Sequence, residues 1–225
     1  MGDVAENLEA VRERIASAAA RAGSNAGEIA LVAVSKGRST QMIREAAAAG
    51  QLVFGENRAQ ELREKLESQD LDLEWHFIGH LQRNKVNMVV GRTALIHSVD
   101  SRRLLGTIAA RARELGIVQD ILLQVNVSGE ESKYGIAVKE TAPLLETAVE
   151  IPGVRVRGLM TIAPLGPREE ARKCFRRMRE LRDEMARDYP PRSLEVLSMG
   201  MTQDFEVALE EGANMVRIGT AIFGA

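Results

Sequence analysis

The sequence predicts an α/β fold: a single (β/α)8 barrel of the TIM type, preceded by one extra N-terminal helix. Three observations lead there. Short β-branched runs alternate with amphipathic stretches of helical spacing, the pattern of βα units and a parallel sheet. Eight such runs can be placed along the chain. The length, 225 residues, suits one barrel with compact loops, and no linker, low-complexity tract or second domain interrupts residues 1–225. A doubly wound open sheet is the alternative that periodicity leaves open.

The elements follow in order. Val4, Leu8, Val11, Ile15 and Ala19 recur every three or four residues and predict the leading helix. Strands are expected at Ile29–Lys36, Leu52–Glu56, Leu73–Gly79, Leu95–Asp100, Asp120–Val127, Val154–Ile162, Ser193–Met199 and Met215–Phe223. A helix from Thr40 to Ala49 has Ser39 or Thr40 as its cap and Gly50 as its stop. Another spans Ser101–Leu115 and stops at Gly116. The longest, Arg168–Tyr189, places Ala171, Cys174, Phe175, Met178, Leu181 and Met185 on one face; its arginines alternate with acids, the mark of a solvated face.

Composition narrows the function. Apolar residues make up 45% of the chain and the net charge is −2, so no basic excess exists to neutralise a nucleic-acid backbone. Cys174 is the sole cysteine, which excludes an internal disulfide and a thiolate metal cluster; core packing on its helix is its simplest role. The acidic, amphipathic N-terminus is no signal peptide, and Glu6 stands where a myristoylation motif needs Ser or Thr. No stretch is long and apolar enough to span a bilayer. A cytoplasmic protein without membrane or nucleic-acid partners is expected.

In a barrel, chemistry belongs at the C-terminal ends of the strands. Alternation puts Val32, Val34 and Lys36 on one face; if that face is the lumen, the Lys36 ammonium sits at the mouth of the core. Two readings are open there, a lysine for Schiff-base chemistry and a lysine that snorkels to solvent. Arg217 interrupts an apolar strand and is expected to face the lumen, addressing either a ligand or a strand-end carboxylate such as Asp100. Ser198-Met199-Gly200 and Gly219-Thr220 end the last two strands, where this fold often builds a phosphate cup from hydroxyls and backbone N–H groups. His76 has no metal-ligand partner at useful spacing and reads best as a structural histidine. Asn57 and Asn126 are polar strand-end groups that either touch a ligand or tie loops. Three classes fit: a cofactor carrier, an amino-acid racemase, and a Schiff-base aldolase without cofactor.

An ordered series of segments, VAVSKGRS, FGENRAQE, WHFIGHLQRNK, SVDS, QVNVSGEESKYG, GLMTI, LSMGMTQDFEVAL and VRIGTAIFG, resembles the pyridoxal phosphate homeostasis proteins (the YggS/PROSC family) from Leu31 to Gly224. The resemblance implies a fold like the barrel domain of alanine racemase. It implies pyridoxal 5′-phosphate as cofactor, held as a Schiff base on Lys36. Ser198, Gly200, Gly219 and Thr220 match the phosphate cup, and Arg217 matches the arginine that faces the pyridine nitrogen. Asn57, His76 and Met160 match positions near the ring or the pocket mouth. The implied role is non-catalytic: a monomer that buffers the cofactor and delivers it, with apoenzymes that use it as partners. The chain ends at Ala225 just after the eighth strand, so the tyrosine-bearing second domain of alanine racemase is not expected. Two positions depart from the family pattern: Thr202 stands where serine is common, and Arg58 where an aromatic is common.

Overall fold

The β-branched runs form parallel strands that pair in a ring. A computed structural model of the chain describes residues 3–68, 70–130, 133–189 and 194–224. The strands are β1 (Ala30–Val34), β2 (Val53–Glu56), β3 (Glu74–Phe77), β4 (Leu95–Val99), β5 (Gln119–Asn126), β6 (Ile136–Ala137), β7 (Val154–Met160), β8 (Val196–Ser198) and β9 (Met215–Ile218). Their order is β4-β3-β2-β1-β9-β8-β7-β5, with β6 appended to β5. A further pairing of β4 with β5 closes the ring, and the open-sheet alternative falls with it.

Register decides which residues share the lumen. Val32 pairs with Arg217, Gly55 with His76, and Met160 with Ser198. The intervening positions, Ala33, Phe54, Val216 and Ile218 among them, point outward and join the large core beneath the helices. The lumen holds a second, small apolar cluster of Val32, Leu95, Leu122, Met160 and Met215. It stays small because other lumen positions carry buried polar groups, among them His76, His97, Ser198 and Arg217.

Helices cover the outside: α1 (Val4–Arg21), α2 (Thr40–Ala48), α3 (Ala59–Glu67), α4 (Arg102–Glu114), α5 (Val138–Glu150), α6 (Arg168–Met185), α7 (Phe205–Glu210) and α8 (Thr220–Phe223). A 3-10 stretch, Arg83–Met88, stands between β3 and β4. Side-chain caps start several of them: Asp3 accepts from Ala5 N–H, Ser39 from Met42 N–H and Ser101 from Leu104 N–H. α8 is a single turn, and α1 packs beside it. Asn7 donates to Ile222 O at 3.0 Å, and Arg14 on α1 pairs with Glu206 on α7 at 3.0 Å. The extra helix thus supplies the cover that so short a last helix does not.

Several expected boundaries shift, three of them with consequences for the site or its cover. The run Met215–Phe223 is a strand only to Ile218, because Gly219 O accepts from Ile222 and Phe223 N–H and turns the chain into α8. The first strand ends at Val34, so Lys36 lies in the following turn. The long helix ends at Met185 rather than Tyr189. Ser193, the expected start of the seventh strand, lies outside the described residues. Cys174 is buried on α6, where its neighbours push the thiol up to about 11 by desolvation. Among the described residues no helix is long and apolar enough to cross a membrane.

Candidate functional site

Parallel closure brings every strand's C-terminal end to one face, and a cavity of about 350 Å³ opens there. Lys36 and Arg38 reach it from the turn after β1 and Asn57 from the end of β2. Ile162 comes from beyond β7, Met201–Asp204 from beyond β8, and Arg217, Gly219 and Thr220 from the end of β9. Lys36, Arg38, Arg168 and Arg217 line it against one acid, Asp204. Such a wall favours a ligand carrying negative charge.

The Lys36 turn rests on a buried polar base. Ser35 Oγ donates to Glu56 Oε1 at 2.6 Å. Lys65 Nζ donates to the same Oε1 at 2.5 Å, to Ser35 O at 2.6 Å and to Glu61 Oε1 at 2.8 Å. Glu61 Oε1 in turn accepts from Gly37 N–H at 2.5 Å. Both neighbours of Lys36 are therefore fixed, while Lys36 itself is exposed in the cavity mouth. Burial pushes Glu56 above the ordinary carboxylate range in spite of Lys65 and Ser35.

Arg217 is 4% exposed. Its Nη1 donates to Ser198 Oγ at 2.6 Å and its Nη2 to Thr161 O at 3.0 Å. The expected alternative, an ion pair with Asp100, is not formed: Asp100 lies 3.4 Å from His80. Desolvation lowers Arg217 to about 10, partly offset by the charge of Asp204, so it remains cationic at neutral pH. A buried guanidinium held by uncharged acceptors and opening on a cavity has unspent capacity to bind an acceptor there.

Beside the lysine turn, the chain bends sharply after β8 and β9. Gly200 has φ +95°, and a Cβ there would stand 2.6 Å from Ala208 Cβ and 2.8 Å from Phe205 Cα. Gly219 packs against β1, where a Cβ would come within 3.1 Å of Val34 O. The first N–H groups of α8 have no partner within the helix. Thr220 Oγ1 donates to Thr202 Oγ1 at 3.1 Å, so two hydroxyls meet at this wall.

Of the residues singled out in the sequence, Lys36, Asn57, Arg217, Gly219 and Thr220 meet at the cavity. Ser198, His76 and Met160 lie below it, facing the lumen, and Gly200 shapes the wall from behind. Asn126 ties a loop, donating to Glu130 O at 2.8 Å and accepting from Gly129 N–H at 3.0 Å. Sequence reasoning passed over Glu56, Lys65 and Asp204 as site-builders. Lys65 carries no local signal, since its importance comes from a partner 9 residues away on another element.

The fold and the lysine-bearing cavity place the chain in a defined structural class. Residues 7–225 match the alanine racemase N-terminal domain family. The alanine racemase of Corynebacterium glutamicum superposes on 97% of this chain with a TM-score of 0.68 at 18% identity, over 61% of its own length, a likeness of fold. Closer relatives carry one description. The pyridoxal phosphate homeostasis protein of Aquifex aeolicus is 50% identical over 97% of this chain and 96% of its own. That of Escherichia coli K12 is 42% identical over 100% and 97%. PipY of Synechococcus elongatus, in a structure with pyridoxal phosphate bound, gives a TM-score of 0.87 at 37% identity over 98% of this chain and 100% of that one. The chain belongs to the pyridoxal phosphate homeostasis protein family.

Proposed function

We propose that the cavity binds pyridoxal 5′-phosphate as a Schiff base on Lys36, and that the protein holds and releases the cofactor within vitamin B6 homeostasis instead of turning over substrate. The observation that carries this is the exposed Lys36 amine sharing one basic cavity with Arg217, a buried guanidinium lacking an acid partner within ion-pair distance among the described residues.

The residues present fit the group. Asn57 Oδ1 is buried at the cavity with no hydrogen-bond partner among the described residues. Gly200 and Gly219 keep the wall after β8 and β9 free of side chains, with Thr202 and Thr220 hydroxyls beside it for phosphate oxygens. When bound, the cofactor supplies an aldehyde that condenses with an amine, with loss of water, and an aromatic ring that withdraws electrons. Lys36 offers the amine, and the Glu56–Lys65–Glu61 base orients its turn. Arg217 would donate towards the ring nitrogen and, as a guanidinium, leave that nitrogen unprotonated. Asn57 and Ile162, which line the cavity, would flank the ring and restrict water. Apoenzymes that require the cofactor are the recipients in this scheme.

A visible absorption band in the purified protein, fixed to Lys36 by borohydride and located by peptide mapping, tests the reading. Modification at Lys85 or Lys133, or a colourless protein after incubation with pyridoxal phosphate, overturns it.

A further inference from the structure

A file of hydrogen-bonded polar side chains crosses the lumen beside its small apolar cluster. It begins at Arg217, whose Nη1 donates to Ser198 Oγ at 2.6 Å. Ser198 Oγ lies 3.0 Å from His97 Nδ1. His97 Nε2 lies 3.0 Å from His76 Nδ1. His76 Nε2 lies 2.8 Å from Glu74 Oε1. The first four are buried, whereas the Glu74 side chain is 52% exposed at the opposite mouth of the barrel.

With His76 as the neutral ring, hydrogen-bond chemistry sets the direction of the file. A carboxylate only accepts, so His76 must carry its proton on Nε2. Neutral His76 then accepts at Nδ1, which puts the His97 proton on Nε2. His97 accepts at Nδ1 from the Ser198 hydroxyl, and a Ser198 lone pair remains for Arg217. Each donor points from the cavity towards Glu74, and each atom in the file has its partner. The opposite tautomer of His97 gives Ser198 two donors and no acceptor in the file for its own proton. Burial above all holds His97 well below its ordinary value, so this ring stays neutral. The bond from His76 lowers Glu74 and keeps it a carboxylate.

Other charges at this end are already engaged. At lumen positions they are Asp120 on β5 and Arg155 and Arg157 on β7, joined by Glu195 just before β8. Arg155 Nε donates to Asp120 Oδ1 at 2.7 Å, and Arg157 pairs with both Asp120 and Glu195. At the cavity end Asp204 faces Arg217. Glu74 is thus the carboxylate bonded to the file.

We infer that His97 and His76 are positioning residues, transmitting the Glu74 charge through the barrel to fix Ser198 as an acceptor and thereby to hold Arg217 where it addresses the ring of bound pyridoxal phosphate. Only the last clause depends on the proposed binding of that cofactor; the tautomers belong to the protein alone.

Nitrogen-15 spectra of histidine-labelled protein without cofactor read the file directly. His97 should carry its proton on Nε2, and Glu74→Gln should move the His76 ring shifts. In the pyridoxal phosphate complex, Glu74→Gln and His76→Leu should each move the midpoint of the visible band's pH profile by about half a pH unit or more, with Glu74→Asp restoring it. Glu74 is exposed and remote from the cavity, so its variant tests the charge even if His76→Leu fails to fold. A proton on His97 Nδ1, or spectra and midpoint both unmoved in Glu74→Gln, overturns the inference. The expected tautomers in a protein that gives no visible band would instead overturn the cofactor reading and the last clause with it.

Discussion

Lys65 and Glu56, both buried, meet at 2.5 Å directly beneath the turn that presents Lys36. The same ammonium holds Ser35 O at 2.6 Å, and its second acid partner, Glu61, holds Gly37 N–H. One interior cation therefore fixes the backbone on both sides of the proposed anchoring lysine.

Breaking that pair from one side should be costly. Glu56→Gln leaves Lys65 with less compensation, and Lys65→Met leaves Glu56 buried with Ser35 as its partner. Lys65→Met is expected to lose about 3–5 kcal/mol in urea unfolding and Glu56→Gln less, because burial favours an uncharged group there, whereas the double replacement Glu56→Leu with Lys65→Met should lose far less than Lys65→Met alone. Since burial raises Glu56, the carboxyl supports the fold most when protonated. Its contribution declines as pH rises from the ordinary carboxylate range through the raised value. The double variant should keep its stability yet retain the cofactor poorly, because the Lys36 turn loses its support. Equal retention in wild type and double variant, measured by dialysis, would show that the pair does not position Lys36.

The reverse pH dependence is expected where α6 docks on α7. Glu211, 4% exposed, receives Arg172, Arg176 and Arg179, each at 3.1 Å. Desolvation opposes its charge, but the bonds from Arg176 and Arg172 prevail and hold it below the ordinary range. A depressed carboxylate adds stability above its unfolded value and loses it as pH falls through the folded one. Glu211→Gln should cost about 1.5–3 kcal/mol at pH 7 and little in strong acid. A constant difference across that range would count against the arginine cluster.

Phosphate selectivity should follow the hydroxyls that meet at the cavity wall. Thr220→Val removes the donor that reaches Thr202 and leaves the backbone of α8 in place. A charge-assisted bond of about 1.5–3 kcal/mol corresponds to a loss of roughly tenfold or more in affinity for pyridoxal phosphate. Pyridoxal, which lacks the phosphate, should bind the variant and the parent alike. Ser198→Ala is expected to act differently, by stranding Arg217 and His97, and so to lower stability as well as retention. Equal losses for both ligands in Thr220→Val would place the phosphate elsewhere.

Much of this was legible in the sequence, and the reasons are local ones. Period-two runs and glycine stops marked the barrel strands, while the two-residue β6 is too short to leave a pattern. Lys36, Arg217 and Gly219-Thr220 were visible because a charge or a glycine interrupts an apolar strand end. The last strand was overextended because Thr-Ala-Ile-Phe is as apolar and β-branched as a strand; only the turn at Gly219 makes it helical. The Glu56–Lys65 base and the His97–His76 file were not legible, since each joins residues whose separation in sequence says nothing of contact. Ser198 shows the same limit. Its position at a strand end, two residues before Gly200, suits a phosphate cup, and in the structure its hydroxyl bonds Arg217 and His97 in the lumen.

Efficient amino-acid racemisation is not expected. Exchange at an α-carbon by two bases requires an acid/base on each face of the ring. Lys36 supplies one. Tyrosine is the usual candidate for a second, and the chain has two, Tyr134 and Tyr189. Tyr134 is 60% exposed and stacks on His80, ring centroids 3.9 Å apart and 14° from parallel, outside the cavity lining. Tyr189 follows α6 on the outer layer, where desolvation and nearby acids raise its hydroxyl. Within the cavity, Arg217 stays cationic at about 10 and accepts no proton near neutrality. Asp204 is the one carboxyl there. Its Oδ1 already accepts from Met201 N–H at 2.6 Å in the turn before α7, beside the Thr202 wall. The cavity thus offers one amine and one committed carboxyl, a set suited to holding an aldehyde rather than to shuttling protons across it. Incubation with L-alanine in deuterated water, followed for α-deuterium and chirality, should show exchange far below the enzymatic range of about 1 s⁻¹ and above. Any trace that survives should fall in Lys36→Ala and be little changed in Tyr134→Phe. Turnover near about 1 s⁻¹ that Tyr134→Phe or Asp204→Asn abolishes would identify a second base and make the protein a racemase.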